Sequence, residues 1–324
     1  ISHPLSALIP RRLVTRPASL YSVPSAPRAH FLLLAVEQGI LARLLSSVSD
    51  ERKRLLLGVG LALVTVFMTA TIAAVGKHLS GMGVHVSTIV VAQYAISFLL
   101  TLPGLLRTGL GSLHTQRPAM HLLRGLGGVV CFYCYFIALS KISLLEATLL
   151  RNSAPLMVPL LIFLTLRERV PKRSLLPLVV GFAGVILVLR PGFSALTIWH
   201  LVGLFAGIGL AVSMISTRLL ASTEPGSRIL FYYFAISLAV SIPFFLWQGG
   251  EVPPEAYGWL LYMGVVMYLC FVLYTWAYRL VSASALSPTS YFGVVFGGLL
   301  DWLVWHLVPD RLTVIGISLV ILGG

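Results

Sequence analysis

The sequence predicts an all-α integral membrane protein, with ten transmembrane helices arranged as two inverted five-helix repeats. Composition, the spacing of apolar runs and the placement of the bases each point there. Of 324 residues, 58% are hydrophobic and only 10% are charged, and the mean hydropathy is +0.95. A soluble chain carries about 25% charged residues and could not cover this much apolar surface, so lipid is the solvent for most of the protein. The 18 prolines and 29 glycines are compatible with this, because membrane helices tolerate both.

Taken in order, residues 1–54 form a basic tail. Its first part, 1–29, is polar and rich in proline, and 30–49 (HFLLLAVEQGILARLLSSVS) is expected to form an interfacial helix or a cytoplasmic packing element. A cleavable signal peptide fits poorly, because no small-residue cleavage motif follows the apolar run. The chain starts at Ile1, so further residues are expected ahead of it. Spans follow near 55–76, 86–106, 119–140, 144–166, 174–190, 198–219, 229–247, 257–278, 284–305 and 310–324. At 1.5 Å per residue they match a hydrocarbon core of about 30 Å, the last being short. The first repeat covers 55–190 and the second 198–324, which leaves no room for a separate catalytic domain.

The net charge of +13 could be read as a nucleic-acid surface, but its distribution reads as orientation. With the amino terminus in the cytoplasm, 18 of the 23 Lys and Arg residues fall on the cytoplasmic side, among them Arg107, Arg117 and Arg124 around the second connector. Lys77, Lys141, Arg190 and Arg311 fall on the other side, and Arg151 lies inside a span. Both termini are then cytoplasmic.

A shift of 139 residues pairs Gly125 with Gly264, Cys131 with Cys270, Phe132 with Phe271, Tyr135 with Tyr274 and Gly184 with Gly323, giving ten identities in 61 pairs. Identity at this level is modest in leucine-rich sequence, and the hydropathy spacing is the stronger sign of a repeat. Five spans per repeat is odd, so the second copy enters the bilayer in the opposite sense. In secondary transporters such repeats enclose a site near the midplane.

The stretch SLLEATLLRNSAPLMVPLLIFLTLRERV, followed by GFAGVILVLRPG, resembles the fourth and fifth helices of EamA-type transporters of the drug/metabolite transporter superfamily. SASALSPTSYFGVVFGGLLDWLVWHLVPDRL and IGISLVILGG echo it in the second half. The resemblance covers about residues 55–324. It implies an inner-membrane carrier, usually an exporter of metabolites or amino acids, with a central cavity lined by helices one, three and four of each half. Glu168 matches the acid common after the fourth helix, whereas His306 stands where the family commonly has glutamate after the ninth.

Arg151 is the first candidate, because a charge in the bilayer interior is costly unless it is paired, hydrated or used. It either contacts an anionic substrate group or gates the cavity, or it serves as a structural ion-pair or carbonyl-bonding residue. Glu146, five residues earlier, is poorly placed to pair with it on one helix. Glu146 and Asp301 are candidates for ion coupling, proton coupling above all, or for caps and ion pairs. Asn152, Ser290 and Tyr291 could orient a zwitterion or act as polar glue between helices. Tyr135, Tyr268, Tyr274 and Trp276 are candidate cavity walls for an aromatic or amphipathic substrate, or plain packing. Pro155, Pro159 and Pro288 could interrupt helical ladders. The glycines at 125, 127 and 128, at 203 and 207, and at 293, 297 and 298 would permit close helix approach.

No cofactor is implied. The three cysteines lie in apolar runs without metal-site spacing, there is no His-Glu-x-x-His, and Gly125-Leu-Gly-Gly lacks the context of a phosphate loop. The expected function is secondary transport of a small metabolite, such as an amino acid or aromatic metabolite, out of the cytoplasm across a bacterial inner membrane by alternating access. Membrane lipids are the other expected partner. The alternatives are a membrane scaffold or sensor and, further off, a lipid-modifying enzyme, for which no acid, base or metal constellation is visible.

Overall fold

The computed structural model describes residues 51–108, 113–166, 172–189, 197–281, 287–308 and 310–323. The expected interfacial helix at 30–49, Glu168 and Arg190 lie outside the described residues. The described chain is helical throughout its ordered elements: α1 Glu51–Gly81, α2 Val86–Thr108, α3 Pro118–Leu139, α4 Leu144–Asn152, α5 Ala154–Leu166, α6 Lys172–Leu189, α7 Ile198–Ala221, α8 Gly226–Gln248, α9 Ala256–Leu280, a 3-10 turn Ser287–Tyr291, α10 Phe292–Trp305 and α11 Arg311–Gly323.

Among the described residues, six helices are individually long and apolar enough to cross a membrane: α1, α2, α3, α7, α8 and α9. The other four expected crossings fall outside that measure: α6 and α11 are single helices of 18 and 13 residues, and the remaining two are interrupted. The expected span at 144–166 is two helices, α4 and α5, separated at Ser153, and the expected span at 284–305 is the 3-10 turn followed by α10. The reason for the first break is local. Pro155 has no N–H to give the Arg151 carbonyl four residues back, and the Ser153 hydroxyl donates instead to the Leu150 carbonyl at 2.6 Å. The 139-residue offset carries the end of α4 at Asn152 onto the end of the 3-10 turn at Tyr291, so the two breaks occupy matching places.

Helix pairings recur in the same way. α3 packs on α7 as α9 packs on α1, and α3 meets α8 as α9 meets α2, while α6 with α11 and α2 with α8 pair across the two halves. Tyr94, Phe136, Phe234, Leu79, Ile89, Leu139, Leu144 and Met263 are the large, fully buried side chains of the main core. Around it, Leu56, Phe205, Leu246, Trp247 and Leu322 are exposed, which in this chain means turned toward lipid.

The expected close approaches at glycine are present. α3 and α7 touch backbone to backbone, where a Cβ on Gly127 would stand 2.9 Å from the Gly209 carbonyl oxygen and one on Gly209 would stand 2.7 Å from the Cys131 nitrogen. α4 lies between two such faces. Gly203 and Gly207 of α7 take one side of it, and Gly293, Gly297 and Gly298 of α10 take the other. A Cβ on Gly207 would stand 2.6 Å from the Leu150 carbonyl oxygen, at the break itself. Gly207→Leu should therefore lower the melting temperature of the detergent-solubilised protein, by about 1–3 kcal/mol of stability. Gly60→Ala, where nothing lies within 4 Å of the added carbon, should not; equal melting of the two variants would contradict this packing.

Candidate functional site

The site is organised around α4. Its amino-terminal end is closed by a reciprocal cap: the Glu146 N–H donates to the Ser143 hydroxyl at 3.1 Å, and the Ser143 N–H donates back to Glu146 Oε2 at 3.1 Å. A second carboxylate reaches the same end from α10. Asp301 is 2% exposed, and it accepts the Leu145 N–H at 2.7 Å on Oδ2 and the Lys77 ammonium at 3.0 Å on Oδ1. Lys77 in turn lies over the Trp305 ring, 4.5 Å from its centroid. Negative charge at a helix amino terminus is stabilised by the unpaired N–H groups there. Beside this cluster opens a cleft of ≈ 290 Å³, lined by Ser80, Leu139, Ser140, Lys141 and Ile142 as well as Lys77 and Trp305.

Glu146 has no ion pair with Arg151. Its other oxygen faces His200 Nε2 at 3.9 Å. Both acids considered for ion coupling thus hold the amino-terminal end of α4. His306, in the position where the resemblance leads one to look for glutamate, takes a left-handed backbone (φ 56) and closes α10, its N–H donating to the Trp302 carbonyl at 3.1 Å.

Arg151 sits at the opposite end of α4, beside the break. Its guanidinium carbon is 5.1 Å from the Tyr135 ring centroid and 5.5 Å from that of Phe132, both on α3, and the Cys131 thiol lies alongside. Such cation–aromatic contacts are worth about 0.5–2 kcal/mol each. Among the described residues no carboxylate pairs with Arg151, and its buried Nε has no hydrogen-bond partner. Tyr135 is 2% exposed and shares a 2.7 Å hydrogen bond with the Thr148 hydroxyl, which ties α3 to α4 below the arginine.

Asn152 and Ser290 meet: Asn152 Nδ2 donates to the Ser290 carbonyl at 3.3 Å, joining the two breaks. Tyr291 is buried in the cluster around Leu149, Leu150 and Val294, with its hydroxyl lacking a hydrogen-bond partner. The α9 aromatics are distributed more widely. Tyr268 packs at the edge of the main core, Tyr274 packs with Ala62 and Ala277 in a separate small cluster, and Trp276 is half-buried. The α9 ring that joins the central aromatic group is Phe271, 5.4 Å from Tyr233.

Arg124 corrects the charge tally. Counted with the cytoplasmic connector, it lies within α3 and is 6% exposed, its guanidinium carbon 4.6 Å from the Tyr233 ring centroid and its Nη1 donating to the Thr217 hydroxyl. The signal was present in the sequence, because position 124 falls inside the span expected at 119–140. Tyr94 and Tyr233 were also missed. Their rings are 6.0 Å apart, and Tyr94 stands 5.9 Å from Phe132, so aromatic contacts run between the two arginines. At the connector between α7 and α8, Glu224 accepts from Thr115 at 2.7 Å and from Arg228. Burial pushes the Glu224 carboxyl up, but these hydrogen bonds and the charges of Arg228 and His121 outweigh it and hold the group below its ordinary value.

Comparison with known proteins gives a consistent set of relatives. The model of the EamA-like transporter family matches residues 56–190 and 197–324. A pseudopaline exporter of Pseudomonas aeruginosa is 32% identical over 269 residues, covering 82% of this chain and 94% of that protein. An S-adenosylmethionine uptake transporter of Rickettsia bellii is 25% identical over 85% of this chain and 94% of its own length, and a riboflavin transporter of Brucella anthropi is 24% identical over 73% and 86%. A solved crystal structure with 18% identity superposes with a TM-score of 0.58, covering 85% of this chain and 96% of that one, a likeness of fold.

The Lys77–Asp301 cluster yields a stability test. Lys77→Met strands the Asp301 carboxylate in a buried place and should cost about 3–5 kcal/mol. Adding Asp301→Asn, which removes the stranded charge, should recover part of the loss in the same thermal melt. A double variant less stable than Lys77→Met would show that the charged contact to the Leu145 N–H outweighs the cost of the stranded carboxylate.

Proposed function

The chain belongs to the EamA-like transporter family and is a small-molecule membrane transporter, and from that premise we propose that it exports an amino acid or related metabolite across a bacterial inner membrane by alternating access. In this reading the two halves are inverted repeats, both termini are cytoplasmic, and the solute binds where the breaks of α4–α5 and the 3-10 turn–α10 meet. Interrupted helices at a repeat interface supply backbone groups to a solute, while the surrounding protein keeps lipid away.

The observation that carries the reading is Arg151. A guanidinium within a span costs about 2.5–3.5 kcal/mol on insertion scales. Here it is set against two aromatic rings at a helix break, with no carboxylate partner among the described residues and one N–H unused. A charge held this way is suited to an anionic group arriving from outside the protein, the carboxylate of an amino acid being one. Tyr135 supplies a flat wall, and Asn152, Ser290 and Tyr291 offer polar groups for orientation. Glu146 and Asp301 are the candidates for coupling to protons, through the cap they form on α4. Support for export comes from the 32% identical relative, itself an exporter.

Arg151→Gln tests this in proteoliposomes loaded with a labelled amino-acid mixture. Flux should fall at least about tenfold, because a hydrogen bond to a charged group is worth about 1.5–3 kcal/mol. The melting temperature should not fall, since an unpaired buried charge has been removed. Flux at the wild-type rate would remove Arg151 from the path, and lost stability with unchanged flux would make it a structural residue.

Orientation is tested separately, with single cysteines in a background lacking Cys131, Cys134 and Cys270. A cysteine in the α5–α6 connector should react with an impermeant maleimide from the cytoplasmic side, and one between α10 and α11 from the opposite side. Labelling of both from one side would reject the inverted arrangement.

A further inference from the structure

One helix face carries more than the Arg151 site uses. Along α3, His121, Arg124, Gly128, Phe132 and Tyr135 recur at three- and four-residue intervals, which places them on one stripe. The Tyr135 and Phe132 end of the stripe meets Arg151. Toward the cytoplasm, a Cβ on Gly128 would overlap the Tyr233 ring, and that ring carries the Arg124 guanidinium.

Arg124 and His121 are 6% and 1% exposed. Arg124 has one hydroxyl partner, Thr217, while its buried Nε has none, and both ring nitrogens of His121 are buried without partners. The nearby acid, Glu224, is engaged by Arg228 and Thr115. Among the described residues no carboxylate pairs with Arg124. Two adjacent buried side chains with unused hydrogen-bonding nitrogens, one of them permanently charged, are expensive to keep unless something accepts from them.

We propose that His121 and Arg124 form a second anion-binding site, on the cytoplasmic side of Arg151, which takes the carboxylate of the transported solute before it reaches Arg151. The proposal rests on the transporter reading above and narrows its substrate class to carboxylate-bearing metabolites. From Arg124 to Phe132 is eight residues of helix, about 12 Å, longer than the carbon skeleton of a common amino acid. The two sites are therefore stations occupied in turn, with the rings of Tyr233, Tyr94 and Phe132 between them.

The experiment uses the full chain in liposomes with glutamate and succinate as probes, and succinamide and putrescine as neutral and cationic controls. In Arg124→Gln, the KM for glutamate or succinate offered at the cytoplasmic face should rise about tenfold or more, with little change when the same acid is offered at the other face. Arg151→Gln should impair flux from both faces, and Arg124→Lys should restore part of the loss. A merely structural arginine would alter both faces alike. Equal KM changes from the two faces, or wild-type preference for succinamide or putrescine over the acids, would overturn the second site and leave transport standing. Wild-type liposomes that move none of the four probes, with no thermal stabilisation of the purified protein by either acid, would overturn the proposal itself. Stabilisation by the acids without flux would uphold the anion sites and count against the transporter reading instead. If Arg124→Gln does not fold, Thr217→Ala, which removes the hydroxyl that holds the guanidinium, should show the same one-sided rise.

Discussion

Hydrocarbon offers a peptide group no hydrogen bond, so a helix interrupted in the membrane must be covered by protein at the interruption. Much of the architecture follows from meeting that requirement at Ser153. The Ser153 hydroxyl takes the Leu150 carbonyl, Gly207 of α7 lies close enough to the same carbonyl to exclude lipid, and Asn152 reaches across to Ser290 beside the matching break. Glycine at 203 and 207 on one side and at 293, 297 and 298 on the other lets both neighbours approach α4. A larger side chain at these faces would open a gap in the place least able to tolerate one.

Charge is arranged along the same short helix. Its amino-terminal end gathers Glu146 and Asp301, and its carboxy-terminal end bears Arg151, the order that a helix dipole favours. The two carboxylates are committed to hydrogen bonds and to Lys77 and His200. Arg151 is held by aromatic faces, which offset part of its desolvation without neutralising it. This difference in partnering separates the acids that fasten the helix from an arginine with no carboxylate partner among the described residues.

Much of the fold was legible because lipid enforces a simple code. Runs such as 86–106 and 229–247 correspond to helices α2 and α8, and Pro155 marked the vicinity of the break in the fourth span. Tertiary pairings were not legible in the same way. Lys77 and Asp301 are 224 residues apart, and no periodicity links them. Arg124 was misread because the positive-inside rule counts bases near span ends without asking whether the side chain turns toward water or toward a neighbouring helix. On α9 the spacing of three residues carries Tyr268, Phe271 and Tyr274 along one side of the helix, with Phe271 meeting the Tyr233 ring, whereas Trp276 turns away from them.

The nine residues of α4 also bear on how the protein is made. A helix so short has little capacity to persist alone, and the two glycine faces that it packs between belong to α7 and α10, which are synthesised later. While the ribosome is still translating the second half, Arg151 has its α3 rings beside it but neither glycine face nor the Asp301 cap. The packing around α4 is therefore complete only once α10, with Asp301, is in place. A chain ending after α6 would keep Arg151 on a helix that lacks both glycine faces and the Asp301 contact.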